Sequence, residues 1–363
     1  MPPLGLTDVS RSAAAAVGVA GFADTLGIGV CQQVVVLLVD GLGWNLLQAH
    51  RELAPALCSL TGGSIDAAFP TTTPVGLGSF GTGLPPGAHG LVGASFWLPE
   101  TESILSPLHW GAEPLPVMVQ PEPTVFEAVA RAGVRMSTVS PAAYEQSGLT
   151  RAVLRGPTYY PADDLASRVE QAAGVLAQGE RSFTYVYWFE LDRIGHEFGA
   201  DSVEWRAALG RVDDLVARLL AILPPGASLV VTADHGMVDC PADLRIHVED
   251  DPRLMHGVVA LAGEPRARHV YVRDGAADDV LAAWQAVLGE RVQVLSRAQV
   301  AEARLMGALD PSLSARVGDV MAVSVGSTML ASRVDSTVSQ LLGQHGALTD
   351  DEVRIPALIH RGQ

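Results

Sequence analysis

QVVVLLVDGLG, residues 33–43, opens with Gln33 followed by six consecutive Val or Leu residues and closes on Asp40 before a glycine-bounded turn. A short run that is apolar at every position, rather than alternating, predicts a strand buried on both faces, as in a parallel sheet covered by helices. Three further segments read alike: Val134–Ser140 (VRMSTVS), Ser182–Glu190 (SFTYVYWFE) and Ser228–Ala233 (SLVVTA). Between these strands, with Gln33–Val39 as the first, helical spacing runs through Pro74–Thr82, Thr124–Ala132, Asp163–Gln178 and Ser202–Leu223. The alternation predicts an α/β fold: a three-layer α/β/α sandwich around a mostly parallel sheet. From Cys240 to Val317 the rhythm breaks. That stretch holds the turn-rich PADLRIHVEDDPRL, a strand at His269–Arg273 and helices near Asp278–Leu288 and Ser296–Ala303. Residues 240–317 therefore read as an inserted α+β cap in a catalytic core formed by 1–239 and 318–363. Asp319–Val325 and Val353–His360 are the strands expected to return to the core.

The 363 residues are 48% hydrophobic and 18% charged, enough to bury a large core without disulfides. Mean hydropathy is +0.25, yet no uninterrupted apolar run reaches the roughly 18 residues that span a bilayer, so no membrane association is expected. In the small-residue segment MPPLGLTDVSRSAAAAVGVAG, Arg11 is the one basic residue, and a charged secretory leader is lacking. The expected location is cytoplasmic. Cys31, Cys58 and Cys240 are odd in number and far apart, which argues against a disulfide framework or a thiolate zinc site. All 24 basic residues are Arg. The lack of lysine excludes a Walker-type phosphate lysine and Schiff-base chemistry. A net charge of -16 disfavours a nucleic acid polymer as partner. A small phosphorylated substrate fits if bound cations supply the positive charge.

Three strand-like runs lead into aspartates: VVVLLV into Asp40, TYVYWFEL into Asp192 and SLVVTA into Asp234. The carboxyl ends of parallel strands are where such sheets bind ligands, although one Asp after a strand is ordinarily a turn former or helix cap. Their company changes that reading. His196 follows Asp192 by four residues, one helical turn; His235 follows Asp234 directly; His345 precedes Gly346 ahead of the last strand. Carboxylate and imidazole bind zinc without thiolates, and these six groups suffice for two metal sites. Within AFPTTTPVGLGSFGTGLPPGAHG, Thr73 stands before Pro74, where proline suits the first helical position and Thr is a good cap. At a helix N-terminus its hydroxyl is placed to meet an anion and attack phosphorus. Thr71 and Thr72 are rivals that spacing does not separate.

The order VDGLG, FPTTTP with TGLPPGAHG, ELDRIGH, TADHGM, and a late QHG before EVRIP resembles the alkaline phosphatase superfamily. Within it the chain is most similar to the type I phosphodiesterase/nucleotide pyrophosphatase family, from about Val34 to Ile359. The resemblance implies that Asp40, Thr73, Asp234 and His235 hold one zinc and Asp192, His196 and His345 the other. It implies Thr73 as nucleophile, whether the motif is aligned forward from Pro70 or backward from His89, and a structural role for His89. Two divalent cations would balance three carboxylates and a threonine alkoxide. The implied reaction is hydrolysis of a phosphodiester or pyrophosphate in a nucleotide-like small molecule, by way of a phosphothreonine and with retention at phosphorus.

One departure bears on substrate choice. Where phosphodiesterases of this family continue with Phe-Pro-Asn, the chain has Pro74, Val75 and Gly76, so the asparagine donor is missing there. The alternatives are a phosphomonoesterase or phosphonate hydrolase on the same site, or a non-catalytic binding protein with this fold. A sulfatase is excluded because no cysteine stands in a C-x-P-x-R context. Arg193 reads as a solvated charge. Arg266 and Arg268 read as surface charges with the option of meeting an anion from the cap, and Phe96 and Trp97 as core or cap contacts with the option of lining the pocket mouth. His50, His109, His247, His256 and His269 lack partners at ligand spacing.

Overall fold

The computed structural model describes residues 3–362. Six strands, β1 (Gln33–Val39), β2 (Thr61–Asp66), β3 (Arg135–Ser140), β4 (Thr158–Pro161), β5 (Ser182–Trp188) and β6 (Ala227–Thr232), are followed by β7 (Val258–Glu264), β8 (Ala267–Val272), β9 (Val292–Ser296) and β10 (Val320–Ser324), and finally by β11 (Arg354–His360). The central sheet has seven strands in the order β2-β11-β6-β1-β5-β3-β4. β1 runs parallel to β5 and β6, and β3 parallel to β4 and β5. Only β11 opposes the rest, antiparallel to both β6 and β2. The sheet is thus mostly parallel.

Every residue of β1, β5 and β6 is buried, which requires cover on both faces. The helices α1 (Leu6–Ala16), α2 (Thr73–Thr82) and α3 (Val125–Arg131) pack on one another, while α4 (Leu165–Leu176) and α5 (Glu190–Phe198) pack on α6 (Val203–Ile222). The register places the functional edge. Leu38 pairs with Thr232 and Val39 with Trp188, so three chains leave the sheet at one end within a few residues of each other. Among the described residues no helix is long and apolar enough to cross a membrane.

β7–β10 form a separate four-stranded antiparallel sheet in the order β7-β8-β10-β9. It has its own apolar core, to which α7 (Ala277–Leu288) contributes Val280, Trp284 and Leu288, a stripe repeating every four residues. The expected return of Asp319–Val325 to the core sheet does not occur: Val320–Ser324 is the inner strand β10, hydrogen-bonded to β8 and β9. Apolar content alone could not tell which of two buried sheets this run would join.

Arg266 and Arg268 are not surface charges. Both are fully buried. The Arg266 guanidinium donates to Glu352 at 2.7 and 2.8 Å, and Arg268 donates to Asp335 at 2.5 and 2.8 Å. These forked pairs tie the turn and strand of the second sheet to segments on either side of His345. Charge-assisted, bidentate geometry of this kind is the strongest class of side-chain hydrogen bonding.

Candidate metal centre

Asp40 lies directly past β1, and the chain then turns through Gly41 with φ +72°. A Cβ at Gly41 would stand 2.9 Å from both Cα and Cβ of Asp192, so glycine supplies both the left-handed turn and the close approach. Asp234 lies two residues past β6; its Oδ1 accepts from the Gly41 amide at 3.3 Å and the His235 amide at 3.1 Å. Asp192 is not the residue at a strand end that the sequence suggested: β5 stops at Trp188, and Asp192 sits in the first turn of α5 with His196 one turn on. His345 is delivered by a two-residue ladder in which Gly343 pairs with Asp239 and Gln344 with Val238.

The structure brings all seven sequence-predicted residues together. Asp40, Asp234 and His235 form one group, and Asp192, His196 and His345 another; within each group the potential ligand atoms lie within 4.8 Å of one another. In the first, His235 Nε2 is 3.4 Å from Asp40 Oδ1 and 3.5 Å from Asp234 Oδ2. In the second, His196 Nε2 is 3.3 Å from Asp192 Oδ2 and 3.2 Å from His345 Nε2. The His235 and His345 rings stack with centroids 3.7 Å apart, so the groups adjoin.

Each imidazole is oriented by a carbonyl. The Nδ1 atoms of His196, His235 and His345 face the oxygens of Gly343 (2.7 Å), Gly236 (3.0 Å) and Thr71 (2.8 Å). A carbonyl only accepts, so each Nδ1 carries the hydrogen and each Nε2 lone pair is directed into the cluster, as metal-ligating histidines require. Asp192 Oδ1 and Asp234 Oδ2 are buried without a hydrogen-bond partner. Burial and the neighbouring Asp234 and Asp192 hold the Asp40 carboxyl well above the usual carboxylate range, and burial raises Asp234 as well. Burial, then the other two imidazoles, keep His345 well below its ordinary value and hence neutral. Buried acids without a cationic side chain, unpartnered oxygens and aimed lone pairs together fit divalent cations.

Thr73 is the threonine whose hydroxyl faces this cluster. Its Oγ1 lies 3.5 and 3.4 Å from the Asp40 oxygens and 3.3 Å from His235 Nε2. The Thr71 hydroxyl is engaged elsewhere, donating to the Ala347 carbonyl at 2.9 Å and accepting from the Gly346 amide at 3.0 Å. Thr72, not Thr73, is the N-cap residue, so α2 begins one residue earlier than proline placement predicted.

Tyr187, which the sequence reading missed, donates its hydroxyl to Asp40 Oδ2. Tyr185 and Tyr187 alternate along β5 and line a cavity of about 330 Å³ with Asp40, Thr73, Tyr144 and Phe189. Phe96 and Trp97 are not part of this wall. Phe96 is core, and Trp97 sits by Tyr271. Arg193 stands at the cavity, half exposed and 3.5 Å from Glu197. Gly76 packs on Asp234, where a Cβ would lie 2.6 Å from the aspartate Cβ; no side chain fits there without displacing a candidate ligand. His89 and His269 are buried away from the cluster, hydrogen-bonded to Ser79 and Val92, with burial pulling them down to about 3 and about 4. Neither His50, His109, His247 nor His256 joins either ligand group.

An α/β sandwich that gathers two adjoining carboxylate–imidazole groups at one end of its sheet, beside a threonine at a helix start, has the form of an alkaline-phosphatase-like hydrolase. The chain belongs to the type I phosphodiesterase / nucleotide pyrophosphatase family, whose pattern matches residues 34–348. Among solved structures, murine ectonucleotide pyrophosphatase / phosphodiesterase 5 is 20% identical, with a TM-score of 0.72 over 90% of this chain and 87% of its own. Phosphonoacetate hydrolase from Sinorhizobium meliloti 1021, solved with phosphonoformate, is also 20% identical, with a TM-score of 0.70 over 90% of this chain and 89% of its own. At that identity the likeness is one of fold. Human bis(5'-adenosyl)-triphosphatase ENPP4 is 31% identical over 74 residues, a match spanning 19% of this chain and 16% of that relative.

Proposed function

We propose that the protein is a two-zinc phosphohydrolase that cleaves a phosphodiester or pyrophosphate bond of a nucleotide-like small molecule, with Thr73 as nucleophile. The observation that carries this is the convergence of Asp40, Asp234, His235, Asp192, His196 and His345 beside the Thr73 hydroxyl, with two carboxylate oxygens left unpartnered. Asp40, Asp234 and His235, with Thr73, would hold one ion; Asp192, His196 and His345 would hold the second. Two such ions supply Lewis acidity at the attacking and leaving oxygens of an in-line displacement.

The chain's own groups do the rest. α2 directs its N-terminal end at Thr73, an environment that favours negative charge on Oγ1. Oγ1, its proton released to solvent, attacks phosphorus; the bond to the leaving oxygen breaks with its electron pair staying on that oxygen, and the phosphoryl group rests on Thr73. Water entering from the vacated side then cleaves the phosphothreonine, and two inversions give retention. Tyr187 fixes Asp40 against Thr73. A threonine-to-alanine variant of murine ectonucleotide pyrophosphatase / phosphodiesterase 5, described as inactive, has been solved with AMP, which supports both the nucleophile and the nucleotide-like substrate.

A monoester or phosphonate substrate is the second reading, favoured by the fold likeness to phosphonoacetate hydrolase. Against it, Arg193 is the lone arginine in the cavity wall and is half exposed, whereas Leu77, Leu149, Tyr144 and Phe189 offer apolar cover to an organic ester group. Turnover of bis-p-nitrophenyl phosphate and p-nitrophenyl phosphate by the zinc-loaded protein tests the choice. The diester should be cleaved faster, and a chelator should stop both; faster cleavage of the monoester would support the second reading.

A further inference from the structure

We propose that the Tyr144 hydroxyl is the side-chain hydrogen-bond donor to one non-bridging oxygen of the phosphoryl group that Thr73 attacks. This role deepens the phosphodiester reading above and rests on it. Charge that builds on the non-bridging oxygens in the transition state is stabilised by donors fixed in advance. The start of α2 supplies few. Pro74 has no amide hydrogen, and the amides of Val75 and Gly76 are spent on the Thr72 carbonyl, at 3.0 and 2.9 Å. Gly76 has no side chain to offer and no room for one, since a Cβ there would stand 2.6 Å from Asp234 Cβ.

A further donor must come from across the cavity that Asp40, Thr73 and Asp192 line. Most of its polar groups are committed. The Tyr187 hydroxyl is given to Asp40, and Ser147 and Thr150 bond each other at 3.1 Å. Ser140 and Tyr185 are buried, at 5% and 1% exposure, and Arg193 is half exposed beside Glu197. Tyr144 is both open and free. It is 36% exposed, and no protein group among the described residues holds its hydroxyl by a hydrogen bond.

Its place fits the role. β1 and β3 both run parallel to β5, so the turn Ala142–Tyr144, just past β3, lies at the sheet end from which Asp40 emerges. The Tyr144 ring meets the rings of Tyr187 and Phe189 edge-on, with centroids 6.2 and 6.0 Å apart. Burial, then the Asp40 carboxylate, raise the phenol above its ordinary value of about 10, so it keeps its proton at neutral pH. A phosphoryl oxygen only accepts, and a neutral phenol facing it donates. Such a donor adds no positive charge, which suits the monoanion of a diester better than the dianion of a monoester.

The test compares the zinc-loaded protein with its Tyr144→Phe variant on the p-nitrophenyl ester of AMP and on both diastereomers of the corresponding phosphorothioate. In these, sulfur, a poor acceptor, replaces one non-bridging oxygen or the other. Tyr144→Phe should lower kcat/KM on the oxygen ester by roughly tenfold, the scale of a hydrogen bond to a charged group. The loss should be equal on the diastereomer that keeps oxygen toward Tyr144 and nearly absent on the other. A ring that only shaped the wall would change none of the three or all alike. Binding gives a readout without turnover: in a Thr73→Ala background, Tyr144→Phe should weaken affinity for the oxygen ester severalfold, and this measurement decides by itself if a phosphorothioate resists cleavage. The urea midpoint should not move, because the position is partly exposed. Unchanged kcat/KM on the oxygen ester, equal losses on both diastereomers, or unchanged affinity in the Thr73→Ala background would overturn the assignment. No cleavage of the oxygen ester by the unmodified protein would instead contradict the phosphohydrolase reading, and the assignment with it.

Discussion

Buried charge is handled in opposite ways in two regions of this molecule. At the junction with the second sheet, Arg266 and Arg268 are fully buried and each is forked onto a carboxylate, Glu352 and Asp335. At one end of the central sheet, Asp40, Asp192 and Asp234 crowd together with three imidazoles and no Arg side chain, and two of their oxygens lack a hydrogen-bond partner. The first arrangement is complete within the chain. The second is electrostatically unfinished, and burial raises the Asp40 and Asp234 carboxyls above their ordinary range. A chain that pairs its buried charge at one place and leaves it unpaired at another marks the second as the place for an external cation.

The largest effect that would sharpen this contrast is loss of the Thr73 hydroxyl in the unfinished region. Thr73→Ala should reduce diester turnover by about a thousandfold or more while zinc content, read by elemental analysis, stays unchanged. Activity retained in Thr73→Ala but lost in Thr72→Ala would move the nucleophile by one residue. In the paired region the large effect falls on folding instead. Arg266→Leu leaves Glu352 buried and uncompensated, and should lower unfolding free energy by about 3–5 kcal/mol in urea titration.

Asp234→Asn should do the reverse in the metal-free protein. It removes one of the charges that burial penalises, and the Asn carbonyl can still accept from the Gly41 and His235 amides, so stability at pH 8 should rise even as zinc occupancy falls toward one ion per chain. A loss like that of Arg266→Leu would erase the distinction between the regions. Zinc uptake should also carry a definite sign. Asp40 and Asp234 have raised values in the folded chain and so hold protons at pH values where an unfolded carboxyl has lost them; binding must expel those protons. Calorimetry in buffers of different ionisation enthalpy should show proton release, and affinity should strengthen as pH rises. The smallest change is Tyr187→Phe, which removes one hydrogen bond to Asp40 and should lower kcat/KM severalfold, about 1 kcal/mol.

Much of this was legible in the sequence for physical reasons. The apolar runs at Gln33–Val39 and Ser182–Trp188 announce themselves because a strand buried on both faces has no polar alternation to hide it. The seven residues of the cluster were legible through motifs in a fixed order, and the four-residue step from Asp192 to His196 is a helical step, as found. Other features depend on tertiary partners. Val320–Ser324 is as apolar as a core strand but pairs in the second sheet. Arg266 and Arg268 look like surface charges until Glu352 and Asp335, more than sixty positions away in sequence, are folded onto them. Leu6–Ala16 read as a small-residue run, yet folds as a helix whose Val9 and Ala13 are wholly buried. Tyr187 carries no local sign of its bond to Asp40, since cross-strand neighbours are invisible along one chain.

Zinc-edge anomalous diffraction from crystals grown with zinc would test the central assignment most directly. Two peaks are expected in the cluster, one about 2.0–2.2 Å from ligand atoms of Asp40, Asp234 and His235, the other equally close to Asp192, His196 and His345. A single peak, or peaks bound elsewhere on the chain with both groups left bare, would contradict it.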